Sequence, residues 1–255
     1  MIAIKRPTLI PDKLTIDGAA ADLQNRQDYD NNPDDYKNLV KEFNILNPIY
    51  GHTTVKSSLK GAQHHKCCFC EKQQKDEYGA VEHFRPKKAF NNFKGEKLTK
   101  PGYFWLGYTW TNLLFVCARC NSAEFKGNQF PLKKGSTRAR SHNDNLALEK
   151  PLLIDPVTVD PRKHIYFQEE LVKSDTVEGK RTIKICGLDR DELNNFRKDK
   201  IDNLKARLVI LMMAKYHTPQ DVQQAKDYLI KAQKPDSEYS GAAIDFIKSS
   251  GVSIT

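Results

Sequence analysis

Long hydrophobic runs are missing from this 255-residue chain. The longest wholly apolar stretch is the seven residues Leu208 to Ala214, and a membrane-spanning helix needs about 20. No transmembrane segment is therefore expected. The N-terminus turns charged at Lys5-Arg6, too early for the apolar core of a secretory signal, so a cytoplasmic location is expected. A GxxxxGK[ST] phosphate loop is absent, which excludes that route to nucleotide hydrolysis. Internal repeats and low-complexity tracts are also lacking. Cysteine is scarce, with six residues, and in a reducing compartment metal binding is a better default for them than disulfides.

What is present is a soluble globular composition, 39% hydrophobic and 29% charged, with an uneven charge distribution. Lys and Arg number 41 against 32 Asp and Glu, a formal excess of +9. Residues 61–140 hold 15 basic and 6 acidic residues, which is also +9, so the two flanks together sum to zero. A basic middle between balanced flanks points to an anionic partner, most simply a nucleic-acid backbone.

The pattern divides the chain into four segments. Residues 1–60 form an N-terminal helical segment after an extended start. Asn32-Pro33 reads as N-cap and first helical position, followed by Tyr36, Leu39, Val40 and Phe43 on one apolar face. Asn47-Pro48 and Gly51 break that pattern, and a short helix is expected from Thr54 to His64. Residues 61–135 hold four of the cysteines and both tryptophans. Residues 136–188 read as a polar loop followed by short strands at Leu152–Ile154, Ile165–Phe167 and Thr182–Ile185, the last two pairing across Ser174–Gly179. Residues 189–255 read as helices. Asp189 serves as N-cap of a long one reaching Tyr216, with Leu193, Phe196, Leu204, Leu208 and Leu211 near one face. Thr218-Pro219-Gln220-Asp221 caps a second helix that turns Val222, Ala225, Leu229 and Ala232 inward. A last helix covers Ala242 to Lys248. The apolar faces of this region make it a candidate partner-binding surface.

Two CxxC pairs, Cys67/Cys70 and Cys117/Cys120, are the strongest chemical signal. Each pair presents two thiolates on one tight turn, and two turns complete a tetrahedral four-sulfur shell. Zinc suits such a closed site, with a rubredoxin-like iron as the second choice. Cys68 and Cys186 have no partner motif and are expected in the core. His64 and His65 flank the first pair but are surplus once four thiolates are counted.

Between the two pairs lies Val81-Glu82-His83-Phe84-Arg85-Pro86-Lys87-Lys88. Adjacent residues at a strand end point apart, so Glu82 and His83 are free to serve separate roles, one on a metal and one on a water. Trp105 and Trp110 are expected to pack around this unit. Asn112-Leu113-Leu114 precedes the second CxxC, and Asn121 follows it directly.

A strand ending in an acidic residue and His, then Asn-Leu, then CxxC followed by Asn, resembles the HNH endonuclease motif over Cys67 to Asn121. That resemblance implies a ββα-metal finger, here in the zinc-binding subset whose two CxxC knuckles bracket the catalytic residues. The implied fold is thus α+β, a mostly helical chain with an embedded zinc-stabilised finger and a few short strands. Cys-x-x-Cys-Glu, Val-Glu-His-Phe-Arg-Pro-Lys, Trp-x-Asn-Leu-Leu, Cys-x-x-Cys-Asn and Phe130-Pro131-Leu132 together resemble the PtuB-type nucleases of Septu antiphage systems, relatives of which accompany some retrons. Pro151–Pro156 and Ile185–Asp189 extend the likeness to about residue 190. Two positions depart from the wider HNH pattern: Glu82 stands where Asp is usual, and Lys126 lies five residues after Asn121 rather than three.

The resemblance implies His83 as general base and Glu82 with Asn121 as hard-oxygen ligands for one catalytic Mg2+ or Mn2+, beside one structural Zn2+. It implies that Asn112 pins the connecting loop and helps orient His83. Arg85, Lys87, Lys88 and Arg119 are the candidate phosphate contacts. The implied partners are nucleic acid, a PtuA-like ABC-type ATPase and, in a retron setting, a reverse transcriptase with its DNA-RNA product. The rival expectation is a zinc-finger binding or adaptor protein whose Glu82-His83 pair is not catalytic. Dependence of cutting on a divalent metal separates the two.

Overall fold

The computed structural model describes residues 1–38, 40–74 and 79–254. The chain is α+β, as the resemblance implied. The N-terminal segment folds as a π-helical turn, Leu14–Gly18, running into α1 (Ala19–Asn31), then α2 (Pro33–Lys37), α3 (Asn47–Tyr50) and α4 (Thr53–Ala62). Pro33 opens α2 and Pro48 opens α3, each where the ring's fixed φ fits a first turn and its missing N–H is not needed. Asn47-Pro48 therefore starts a helix rather than only breaking one, and Gly51 ends it. The single apolar face anticipated from Tyr36 to Phe43 does not form. The helix stops at Lys37 and the next amides turn back, Val40 and Lys41 both donating to the Asp35 carbonyl. Val40 is left exposed, and Leu39 lies outside the described residues. Phe43 still reaches the core, but by stacking: its ring lies 4.1 Å from Tyr36 and 3.8 Å from Phe104. This aromatic column binds the N-terminal helices to the centre of the molecule, each pair contributing about 0.5–1.5 kcal/mol beyond area burial.

The centre is an antiparallel pair, β1 (Gly79–His83) and β2 (Leu113–Cys117), with Gly79 opposite Cys117 and His83 opposite Leu113. β2 is apolar at every position and buried throughout, as a strand covered on both faces must be. α5 (Ala118–Asn121) follows without a linker, completing a ββα unit. Trp105 and Trp110 are buried beside it, as core residues.

Beyond it, β3 (Tyr166–Gln168) pairs with β4 (Leu171–Lys173). The partner expected for Ile165–Phe167, Thr182–Ile185, is instead the end of α6 (Val177–Cys186). The Thr176 hydroxyl accepts from the Gly179 amide at one end of α6, and Gly187 takes a left-handed conformation at the other. These caps overrule the β-branched run. Leu152–Ile154 is buried but forms no strand; only Pro151 makes a bridge, to Leu132.

α7 (Asp191–Met212), α8 (Pro219–Ala232) and α9 (Ser240–Ser249) form a C-terminal bundle. The N-cap position of α7 is Arg190, not Asp189, and α7 ends at Met212 before a separate 3-10 turn, Ala214–Tyr216. Thr218 and Asp221 form the anticipated capping box of α8. Ile201, Leu204 and Leu208 of α7 meet Leu229 and Ile247 in an apolar cluster of their own, apart from the main core. No helix among the described residues is long and apolar enough to cross a membrane.

Candidate metal centre and active site

The two ends of the β1–β2 hairpin carry different chemistry. At the Gly79–Cys117 end the four CxxC sulfurs, Cys67, Cys70, Cys117 and Cys120, all lie within 4.8 Å of one another, and every one is buried. Cys70 Sγ and Cys117 Sγ are 3.8 Å apart. A tetrahedral site with Zn–S bonds of about 2.3 Å has sulfur-to-sulfur edges of about 3.8 Å, so the four residues fit a structural zinc. The turns are locally built. Glu71, in a left-handed conformation, donates its amide to the Cys67 carbonyl. Cys117 Sγ caps α5 by accepting from the Cys120 amide. Arg190 brings a guanidinium to 3.7 Å from Cys120 Sγ, offsetting the negative charge that four thiolates leave on a divalent ion. Cys68 and Cys186 are buried, and His64 and His65 are exposed.

At the other end stands His83, 1% exposed. Its Nε2 is 2.8 Å from the Gly107 carbonyl. A carbonyl only accepts, so Nε2 carries the proton and Nδ1 carries the lone pair. Lys87 Nζ is 3.2 Å from that Nδ1. Burial, and then the Lys87 and Lys126 charges, hold the His83 pKa well below its usual value, so the ring is neutral. Tyr50 packs edge-on against it, with ring centres 4.6 Å apart.

Asn112 fixes the turn behind His83. Its Oδ1 accepts from the Arg85 amide at 2.8 Å, and its Nδ2 donates to the carbonyls of Arg85 and Leu106. The Leu106 contact holds the strand of chain that presents the Gly107 carbonyl to His83. Glu82 is half-buried, and its Oε1 receives a 2.6 Å bond from Lys126 Nζ. Glu82 Oε2 and the Asn121 side chain have no hydrogen-bond partner among the described residues. They are the free oxygen donors of the site, and they suit a hard divalent cation.

Glu82, His83 and Asn121 line one cavity of about 610 Å3, together with Lys87, Lys88, Lys94 and Lys100. Burial pushes the Lys87 pKa down to about 8.

No family model matches the chain. The Septu protein PtuB of Bacillus mycoides (strain KBAB4) is 35% identical over 187 residues, covering 69% of this chain and 63% of the relative. The Septu protein PtuB of Bacillus thuringiensis is 27% identical over 146 residues, 56% of this chain and 44% of the relative. This chain is a homologue of PtuB. It spans under two thirds of the length of the curated relatives it matches.

The site residues drawn from the sequence thus fall into two groups. Glu82, His83, Asn121, Lys87 and Lys88 converge on the cavity, with Asn112 behind them. Arg85 and Arg119 do not line it. The Arg85 guanidinium pairs with buried Glu149 at 2.8 Å, and Arg119 pairs with Glu124 at 2.6 Å. Two residues that sequence spacing passed over belong with the site. Lys126 is fully buried, and its ammonium donates to Glu82, to the His83 carbonyl and to the Gly127 carbonyl. Glu149 accepts from Arg85, from the Tyr103 hydroxyl and from the Ala139 amide, clamping the turn after His83 from the far side.

Proposed function

We propose that this chain is a metal-dependent HNH endonuclease that hydrolyses nucleic-acid phosphodiester bonds. It works as the effector of an antiphage Septu system, together with a PtuA-like ABC-type ATPase. One observation carries the reading: a neutral, buried His83 with its Nε2 proton tied to Gly107, beside Glu82 and Asn121 with unused oxygens, on a cavity edged by lysines.

Glu82 and Asn121 are the residues that would hold Mg2+ or Mn2+, which when bound supplies charge stabilisation to the phosphate. His83 Nδ1 takes the proton of the attacking water. The Gly107 carbonyl steadies the imidazolium that results, because Nε2–H already points at it. Lys87 is drawn from Nδ1 toward an arriving phosphate, which uncovers the lone pair when substrate is present. Asn112 keeps the ring in place without touching substrate. Any nucleotide dependence comes from the ATPase partner, since this chain has no phosphate loop.

The test is a cleavage assay over tRNA, single-stranded DNA, plasmid and phage DNA, with Mg2+ or Mn2+ present and then withheld. Metal-dependent cutting that disappears in His83→Ala supports the enzyme. Binding without cutting under every metal condition supports the adaptor instead. Co-expression with a PtuA-like ATPase, size-exclusion chromatography and phage plating test the partnership. Full protection by this chain alone would retire it.

A further inference from the structure

The cavity is bordered by two chain segments of opposite character. Residues 86–100 contribute Lys87, Lys88, Lys94 and Lys100. Residues 121–129 contribute Asn121, Ala123, Gly127, Asn128 and Gln129, and no cation. The one lysine of that second segment, Lys126, is buried on Glu82 and does not line the cavity. Arg119, just before it, is neutralised by Glu124.

The two segments join along one edge, where Asn91 donates its amide to the Asn128 carbonyl and accepts from the Phe130 amide. At that seam the Asn91 side-chain oxygen is buried and has no partner. The Asn128 side chain is exposed and makes no hydrogen bond among the described residues. Cations thus lie along one border. The seam holds the unpartnered Asn91 oxygen, whose own Nδ2 donates to the Glu96 carbonyl at 3.4 Å, and the other border holds the Asn128 amide.

We infer that the cavity takes a single unpaired nucleic-acid strand, phosphates along residues 86–100 and bases toward the amides of Asn91 and Asn128. The inference rests on the nuclease reading of the same site and names its substrate class. A single strand has one phosphate edge and one base edge, matching the two borders. A duplex carries phosphates on both strands, and its second row would face the uncharged border with no cation to replace its counterions. The volume agrees. About 610 Å3 lies in the range of a small-ligand pocket and admits a short stretch of one strand, not the breadth of a double helix. Asn128 offers both a donor and an acceptor to a base edge and Asn91 an acceptor, which adds a base preference to a backbone-driven affinity.

Binding is measured on the full zinc-loaded chain without added Mg2+ or Mn2+, so that it is read apart from cutting. The probes are fluorescent oligo-dT, oligo-U and a blunt DNA duplex of equal length, each titrated across a salt series. The strands are expected to bind at least about tenfold tighter than the duplex, the two strand probes distinguishing DNA from RNA. Lys88→Glu with Lys94→Glu, both at exposed positions, should weaken strand binding and reduce the salt slope by about 1.4, the value for two lost phosphate contacts on a single strand. Asn128→Ala should weaken binding a few-fold with the slope unchanged. Equal affinity for duplex and strand, no binding to either, or an unchanged slope in the double charge reversal would overturn the inference. Strand-selective binding with no cutting in any metal would keep it while removing the nuclease reading.

Discussion

The two ends of the β1–β2 hairpin are built from the same two strands and follow opposite rules. At the Cys117 end the groups turn inward on one another: four buried sulfurs face one point, an amide caps one of them, and Arg190 approaches from outside. At the His83 end the framework is equally firm, with Asn112 making three hydrogen bonds to backbone, yet several donors and acceptors remain unspent. Glu82 Oε2 and the Asn121 side chain have no partner among the described residues, and the lone pair of His83 is met only by the Lys87 ammonium, at 3.2 Å. A site that fixes shape turns its groups on one another. A site that does chemistry orients some of them and leaves them unsatisfied until substrate or metal arrives.

The largest effect should come from breaking the closed end. Cys120→Ser or Cys67→Ser removes one thiolate from the shell, and structural zinc contributes on the order of 10–16 kcal/mol to such folds. Zinc content should fall from about one per chain, the stoichiometry of one tetrahedral site, to near zero. The melting temperature should drop sharply, or the protein should be insoluble. Metal analysis of the wild-type chain that finds neither zinc nor iron tightly bound would refute the four-thiolate centre.

The working end should respond differently. His83→Ala is expected to lower cutting by about 10²–10⁴-fold, the range for loss of a positioned base, with zinc content unchanged and a moderate loss of melting temperature from the vacated core space. Wild-type cutting in this variant would rule out His83 as the base. Lys126→Met tests the group behind Glu82, the proposed metal ligand. It removes the ammonium that holds Glu82 while keeping the apolar stem, and groups that orient metal ligands typically change affinity or activity by about 10–100-fold. The Mn2+ concentration needed for half-maximal cutting should rise, and an unmoved metal requirement would leave Lys126 a structural role only.

The smallest effect should come from a site remote from both ends. Thr218→Ala breaks the capping box of α8 and should lower the melting temperature by about 2–4 °C, with zinc content and cutting unchanged. A change in cutting would mean that the C-terminal bundle acts on the hairpin, and that the two ends are not the only parts that matter to the chemistry.

What could be read in the sequence depended on how far apart the cooperating residues lie. The zinc ligands come as two local pairs, so their spacing alone declared the centre. Glu82, His83, Asn112 and Asn121 were found through motif resemblance, and the fold brings them to one end of one hairpin. The second half of α6 was misread because Ile183 and Ile185 alternate like a strand. The helix is fixed by Thr176 and Gly187, a cap and a left-handed stop visible in the sequence. Lys126 stands out in the sequence only as a lysine five rather than three residues after Asn121, and Glu149 gives no local signal. Lys126 arrives through the turn after α5, which folds its side chain back under Glu82, and Glu149 comes from a loop 64 residues beyond Arg85. The arginines were overrated for the same reason, since their partners Glu149 and Glu124 become apparent only when the chain is folded.

The spacing of the two knuckles also sets an order of events during translation. Cys70 and Cys117 are 47 positions apart, and Glu82-His83 is synthesised between them. As the nascent chain emerges, the first knuckle has only half a coordination shell, β1 has no strand to pair with, and neither Gly107 nor Asn112 exists to hold the imidazole. All of these arrive between Gly107 and Cys120, and Cys120, the last of the four sulfur ligands, is followed at once by Asn121. Metal capture, strand pairing and completion of the hairpin therefore coincide near the middle of the 255-residue chain. A product that stops before Cys117 carries the Glu-His pair without β2, the second knuckle or Asn121 to frame it.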